Sequence, residues 1–129
     1  MQNRFRFRIW DKFCETWLTD FAINQDGEIN RFFNNEEALK RRFVLIQCTG
    51  LKDKNGKLIY EGDIINGTCG VYWGKMIVKF NENEARFYMY RVDKRYTDLH
   101  FHGKNQEDNF ELEVIGNIYE NPELLEVEE

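Results

Sequence analysis

Apolar and polar residues alternate along several short stretches, and this period of two predicts β-strands. Residues 4–10 read Arg-Phe-Arg-Phe-Arg-Ile-Trp. Because neighbouring side chains of a strand point to opposite faces, Arg4, Arg6 and Arg8 are expected in a row on one face, with apolar side chains on the other. The stretch is therefore predicted to be a half-buried strand with a basic outer face.

The rest of the N-terminal region predicts two more strands and a short helix. Residues 16–21 are rich in aromatic and β-branched residues, and Asp26-Gly27 is a hairpin signal with apolar residues beyond it. A three-stranded meander is the simplest interpretation. Residues 34–42 begin with Asn and acidic side chains and end with basic ones, which favours one or two helical turns.

Turn signals are densest at residues 49–65, directly after the apolar run 43–48, which predicts a buried strand. Asn55-Gly56 predicts a hairpin with a type I′ turn, since Asn and Gly reach positive φ at little cost. Gly62 predicts a second bend before the next apolar run. The chain is expected to reverse twice within this segment.

The C-terminal part predicts further strands at 76–80, 86–92 and 110–119, with residues 93–109 as a long polar loop that is mobile, an insertion or a binding loop. Short strands with frequent turns indicate a mainly β protein containing a small barrel. Residues 1–42 and 43–129 are predicted to be two regions, or parts of one compact unit.

Composition narrows the class of protein without giving an activity. The 129 residues suit one domain, and the net charge of −5 divides into +1 for residues 1–48 and −6 for residues 49–129. Much of the acidity lies near the C-terminal end, so a uniformly basic nucleic-acid surface is not predicted. The odd number of cysteines, Cys14, Cys48 and Cys69, argues against a disulfide framework, and no stretch resembles a membrane span or a signal peptide. We expect a soluble, cytoplasmic protein.

Few side chains suggest catalysis or metal binding. Glu61 and Asp63 flank a glycine and are the minimum for acid and base chemistry, but an Asp at a hairpin exit more often bonds free backbone N–H groups. His100 and His102 would share one face of a strand, as a metal pair needs, although two His in a polar loop are usually just solvated. No catalytic residue, metal site or cofactor site is predicted.

Three motifs resemble the YopX family of phage and prophage proteins. They are FRIWD at residues 7–11, QCTGLKDKNGKLIYEGDI at 47–64 and EVIGNIYENPELL at 113–125. They occur in the family's order along nearly the whole chain, and residues 66–109 lie outside them. The resemblance implies a small phage-encoded β protein of a bacterial host cell, with an SH3-like barrel in its C-terminal part. The family has no established biochemical activity.

Exposed aromatic residues suggest a function in binding. Residues 86–92 carry large rings at successive positions, so one face of that strand must point away from the core. Phe87, Tyr88 and Tyr90, together with the three arginines of residues 4–10, form the candidate interaction surface. We expect a non-enzymatic module that binds itself or a host or phage protein. Aromatic and basic side chains are also the combination with which small barrels bind single-stranded nucleic acid, which is the alternative.

Overall fold

The computed structural model describes residues 5–30, 41–69, 72–92, 98–100 and 111–126, and these form a mainly β protein, as predicted. A 3-10 helix, Pro122–Leu125, follows the last strand. The strands are β1 (Phe7–Asp11), β2 (Thr16–Trp17), β3 (Ala22–Ile23), β4 (Ile29–Asn30), β5 (Phe43–Lys52), β6 (Leu58–Tyr60), β7 (Asp63–Cys69), β8 (Tyr72–Asn81), β9 (Arg86–Arg91), β10 (Asp98–His100) and β11 (Leu112–Asn117).

The N-terminal strands form an antiparallel sheet in the order β2-β1-β5-β6, and β3 and β4 pair separately. The region of the predicted meander forms two hairpins, β1–β2 and β3–β4, in separate sheets. The far edge of β1 pairs with β5, with Phe7 opposite Gln47 and Asp11 opposite Phe43. The ten residues of β5 include a long apolar run that needs a covered position. Ile9 and Ile46 are completely buried in this sheet.

The C-terminal strands form a sheet in the order β10-β9-β8-β7-β11. A four-stranded antiparallel meander runs from β7 to β10, and β11 returns to pair with the free edge of β7. This is the strand order of an SH3-like small barrel, which confirms the predicted architecture. The barrel core consists of Ile65, Met76, Val78, Met89 and Leu112, joined by Ile59 from β6.

One sequence prediction changes at the edge of the barrel sheet. Asp98–His100 lies inside the predicted loop 93–109 but forms β10, with His100 opposite Tyr88. The edge of β9 offers backbone groups to pair with, which a polar sequence does not reveal. The rest of that loop lies outside the described residues, as do Arg4, His102 and most of the predicted helix 34–42, of which Arg41 and Arg42 are described and helical.

The central hairpin is confirmed, but the prediction of a type I′ turn is wrong. Gly56 has a φ of 81°, whereas Asn55 is not among the described residues with positive φ. The Gly56 N–H donates to the Asp53 carbonyl at 3.0 Å, and the Asp53 carboxylate accepts the N–H groups of Asn55 and Lys57 at 2.9 Å each. These bonds favour a type I turn followed by one left-handed residue.

The turn between β3 and β4 has the same design. The Gly27 N–H donates to the Asn24 carbonyl at 3.0 Å, and the Asn24 side-chain oxygen accepts the N–H groups of Asp26 and Glu28 at 2.9 Å each. The Asn24 and Asp53 turns are therefore matched, one with an amide and the other with a carboxylate. The division of the chain into regions 1–42 and 43–129 stays a prediction.

Candidate interaction surfaces

Arg8 joins the N-terminal sheet to the barrel. Its Nη2 atom lies 2.9 Å from Oδ1 of Asp63, and its guanidinium lies 4.0 Å from the ring centre of Tyr60 and 4.4 Å from that of Trp17. A guanidinium that lies over two aromatic rings and is paired to a carboxylate is fixed in position. The Arg8 side chain is 26% exposed, so most of it contacts the protein itself.

Asp63 has the structural role that its place at the hairpin exit suggested. Its Oδ2 atom accepts the Tyr60 N–H at 2.8 Å, and its other oxygen is bonded to Arg8. Burial raises the pKa of Asp63 above its usual value, against the lowering effects of these bonds. Burial, with a smaller contribution from Glu82, also raises the pKa of Glu61. Both Asp63 oxygens already have partners, so this carboxylate is engaged in structure.

Aromatic rings continue this junction towards the C-terminal end. Trp10 and Trp17 contact edge to face with ring centres 4.9 Å apart, and Tyr119 lies 5.9 Å from Trp10 and 6.2 Å from Trp17. The Trp17 indole N–H donates to Glu120. We call Arg8, Asp63, Trp10, Trp17, Tyr60, Tyr119 and Glu120 the aromatic junction.

The three motifs of the sequence meet at this aromatic junction. Arg8 and Trp10 come from the first motif, Tyr60 from the second and Tyr119 from the third. Sequence reasoning did not bring them together, because the residues that touch are up to 109 positions apart, as Trp10 and Tyr119 are. The only available signal was that each motif contains an aromatic residue beside a charged one.

A second cluster near the start of β5 holds the β1–β2 turn. The Asp11 carboxylate accepts two bonds from Arg42, at 2.9 and 2.8 Å, and the N–H groups of Phe13 and Cys14 at 3.0 and 3.2 Å. The Arg42 guanidinium holds the pKa of Asp11 well below its usual range. Phe13, at the tip of this turn, is 82% exposed.

Strands β8 and β9 carry the predicted aromatic candidates, which the structure separates onto two faces. Phe87 packs partly against the barrel core and contacts Phe80 at 5.0 Å between ring centres. Tyr88 and Tyr90 lie on the opposite face, where Lys79 Nζ is 4.4 Å from the Tyr90 ring. We call Lys79, Phe80, Phe87, Tyr88 and Tyr90 the β8–β9 surface.

The predicted row of arginines is described only in part. Arg6 is exposed, Arg8 is engaged in the aromatic junction, and Arg4 lies outside the described residues. Within the described part of the chain, no three His, Cys, Asp or Glu side chains form a group that could hold a metal ion. No helix among those residues is long and apolar enough to cross a membrane.

These features define a class of all-β protein in which an N-terminal sheet is joined to an SH3-like barrel through an aromatic and ionic junction. A family model described as YopX protein matches residues 6–126. The chain therefore belongs to the YopX family, as its three motifs predicted.

Several solved chains share the fold. One is the crystal structure of protein EF1440 from Enterococcus faecalis, whose sequence is 31% identical to this chain. The alignment covers 94% of this chain and 97% of that protein, with a TM-score of 0.64. Another is the crystal structure of protein yopX from Bacillus subtilis, whose sequence is 23% identical to this chain. The alignment covers 95% of this chain and 99% of that protein, with a TM-score of 0.54. No curated protein matches the chain.

Proposed function

We propose that this chain is a phage or prophage accessory protein that acts without catalysis, by binding a host or phage protein or a second copy of itself. The proposal takes its setting, the cytoplasm of a bacterial host, from the resemblance to phage and prophage proteins. The observation that carries it is the β8–β9 surface. Aromatic rings lie on both faces of the β8–β9 strand pair, and Phe80 is 37% exposed. Tyr and Phe side chains are enriched at protein interfaces, where they bury large areas at little entropic cost.

The roles of the buried carboxylates support a function in binding. Asp11, Asp53 and Asp63 are the buried acidic residues within the described ranges. Each has its oxygens bonded to backbone N–H groups or to arginine. These carboxylates order turns and join the sheets, which is a structural use of charge.

Nucleic-acid binding is the second candidate, and one contact favours it. Lys79 lies against the Tyr90 ring, which places a cation beside an aromatic face on the outside of the barrel. Small barrels hold single strands by stacking bases on such rings while cations meet the phosphates. The net charge of −5 weighs against a large nucleic-acid surface.

Sedimentation velocity from micromolar to millimolar protein tests the first candidate. We expect the mass to rise with concentration, and the double variant Tyr88→Thr, Tyr90→Thr to remain monomeric, since Thr keeps strand propensity but removes the rings. The control is Phe13→Ser, which removes an exposed ring on a different surface and should behave as the unmodified protein. A monomer throughout, together with no specific protein retained from infected host lysate, would refute the proposal.

Two measurements on the unmodified protein distinguish protein binding from nucleic-acid binding. Retention from lysate should survive nuclease treatment if the partner is a protein. Direct titration of labelled single-stranded DNA at low salt is the second arm, and binding there that falls with added salt would favour nucleic acid. No measurable DNA binding would remove that candidate.

A further inference from the structure

The outer edge of β11 is covered by the central turn. The Thr68 N–H of β7 donates to the Glu111 carbonyl, so the backbone groups of Leu112 and Val114 point the other way, off the edge of the barrel sheet. The Lys54 N–H donates to the Leu112 carbonyl at 2.9 Å, and the Val114 N–H donates to Oδ2 of Asp53 at 3.0 Å. The turn thus occupies the place where a further strand would bond.

Two side chains of the turn also contact the Glu113 carboxylate of β11, where a docked strand could place a cation. Lys54 Nζ lies 3.8 Å from a Glu113 carboxylate oxygen, and the Asn55 amide contacts the other oxygen at 3.4 Å. Lys54 and Glu113 are 48% and 43% exposed, and a small polar depression beside them is lined by Thr68 and Glu111. The cover therefore shows what the edge accepts: a backbone N–H, a backbone-like acceptor and a positive charge.

Comparison with the Asn24 turn shows which group of the Asp53 turn covers the β11 edge. The hydrogen bonds described for the Asn24 turn stay within residues 24–28. Asn24 has one side-chain oxygen, which orders that turn, whereas Asp53 has two. Oδ1 of Asp53 orders its own turn and Oδ2 reaches Val114. The second carboxylate oxygen of Asp53 therefore serves the bond to β11 and not the turn itself.

We propose that the outer edge of β11 is a strand-docking surface that the central turn keeps closed, and that its occupant is an extended segment of a partner protein with a Lys or Arg opposite Glu113. Glu111 and Glu113 would repel their own copies if two β11 strands paired, which argues against a second copy. Strand addition to an exposed edge is a common mode of peptide recognition. The inference goes beyond the proposed function, because it uses a surface separate from β8–β9.

Two variants open the cover by different routes. Asp53→Asn keeps a side-chain oxygen for the turn, as Asn24 does, but can turn an NH₂ group towards the Val114 N–H. Lys54→Pro removes the N–H bonded to Leu112 and the cation, while proline suits the second position of a type I turn. Gln25→Pro makes the same change in the matched turn and is the control.

Fluorescence anisotropy with labelled peptides measures docking. The probes are short peptides alternating lysine with valine, or glutamate with valine. We expect Asp53→Asn and Lys54→Pro to bind the lysine peptide roughly tenfold more tightly than the unmodified protein and Gln25→Pro do, and the glutamate peptide no better. Adding Glu113→Gln should abolish the gain. Because the double variant Tyr88→Thr, Tyr90→Thr should leave peptide docking unchanged, failure here and failure of the proposed function are distinguishable.

Amide hydrogen exchange shows directly whether the edge has opened. The Val114 N–H should exchange faster in Asp53→Asn than in the unmodified protein. Unchanged exchange there, or no gain in peptide affinity by either variant when circular dichroism shows a native fold, would overturn the proposal. A gain that persists in the presence of Glu113→Gln would also overturn it, since the partner's cation would then have no role.

Discussion

At the scale of single residues, Gly67 is the position with the least room. It lies in β7, opposite Gly74 on β8 and Leu112 on β11. A Cβ atom there would lie 1.8 Å from the Glu111 carbonyl oxygen, which belongs to the backbone and cannot rotate away. The pairing of β7 with β11 therefore depends on the missing side chain. By contrast, Gly56 has open space around it and is needed only for its positive φ of 81°.

We expect Gly67→Ala to lower the free energy of unfolding by about 3 kcal/mol, since strands must separate to admit the methyl group. Gly56→Ala should cost only about 1 kcal/mol, the ordinary price of a left-handed residue with Cβ. Urea denaturation of both variants makes the comparison. Equal losses would show that β11 does not approach Gly67 as closely as described.

At the scale of elements, side-chain carboxylates decide how the strands are connected. Asp11 bonds two N–H groups of the β1–β2 turn and also Arg42, which directly precedes β5. One buried side chain thus holds the ends of three strands. Asp53 does the same for the central turn and β11. Backbone N–H groups bonded to a carboxylate favour its charged form.

The folded-state pKa of Asp11 is lowered, so its contribution to stability is present above the unfolded-state value of about 3.9 and is lost as the pH falls below it. We therefore expect Asp11→Asn to be less stable than the unmodified protein at neutral pH. The difference should shrink on acidification from about pH 5 towards pH 2. Thermal unfolding across that range measures it.

The control for this pH series is Asp26→Asn, which replaces an exposed carboxylate of the β3–β4 turn. It should run parallel to the unmodified protein. A stability difference for Asp11→Asn that is constant with pH would mean that the Asp11–Arg42 pair makes no net contribution.

Strand positions were predictable from the sequence where one face is buried and the other is not. Met76 and Val78 alternate with exposed or half-buried neighbours, and the predicted strands 76–80 and 86–92 correspond to the second half of β8 and to β9. Strand β8 itself begins at Tyr72, four residues before the predicted start. The turn type was not predictable from Asn55-Gly56, because the φ of Asn55 follows from the Asp53 carboxylate that bonds its N–H. Strand β10 has only three residues and no apolar pattern to reveal it.

At the scale of the whole molecule, the aromatic junction couples the two sheets. Arg8 belongs to β1 and Asp63 begins β7, so their ion pair crosses from the N-terminal sheet to the barrel. The alternation predicted Arg8 as an outward-facing residue and as part of the candidate interaction surface. Its partners lie at distant positions in the sequence, and alternation says which face a side chain takes without saying what covers that face.

We expect Arg8→Gln to cost about 3 kcal/mol, because Asp63 is left as an unpaired buried charge. Adding Asp63→Asn should restore part of the loss. The transitions seen by different probes should also no longer coincide. In a Trp73→Phe background, tryptophan fluorescence reports only Trp10 and Trp17, and it should change at lower urea than far-UV circular dichroism. Arg86→Gln, which removes a surface ion pair with Glu84, is the control and should cost less than about 0.5 kcal/mol.

The bond between Trp17 and Glu120 joins residues 103 positions apart. During synthesis at about 5 to 20 residues per second, Glu120 is therefore added to the chain roughly 5 to 20 seconds after Trp17. Throughout that interval the rings of Trp10 and Trp17 lack Tyr119 as well, and the N-terminal sheet cannot be completed against the barrel. When the chain folds during synthesis, the last strand and the turn after it therefore complete the aromatic junction last. A nascent chain that stops short of residue 120 leaves its N-terminal tryptophans open to chaperones and to aggregation.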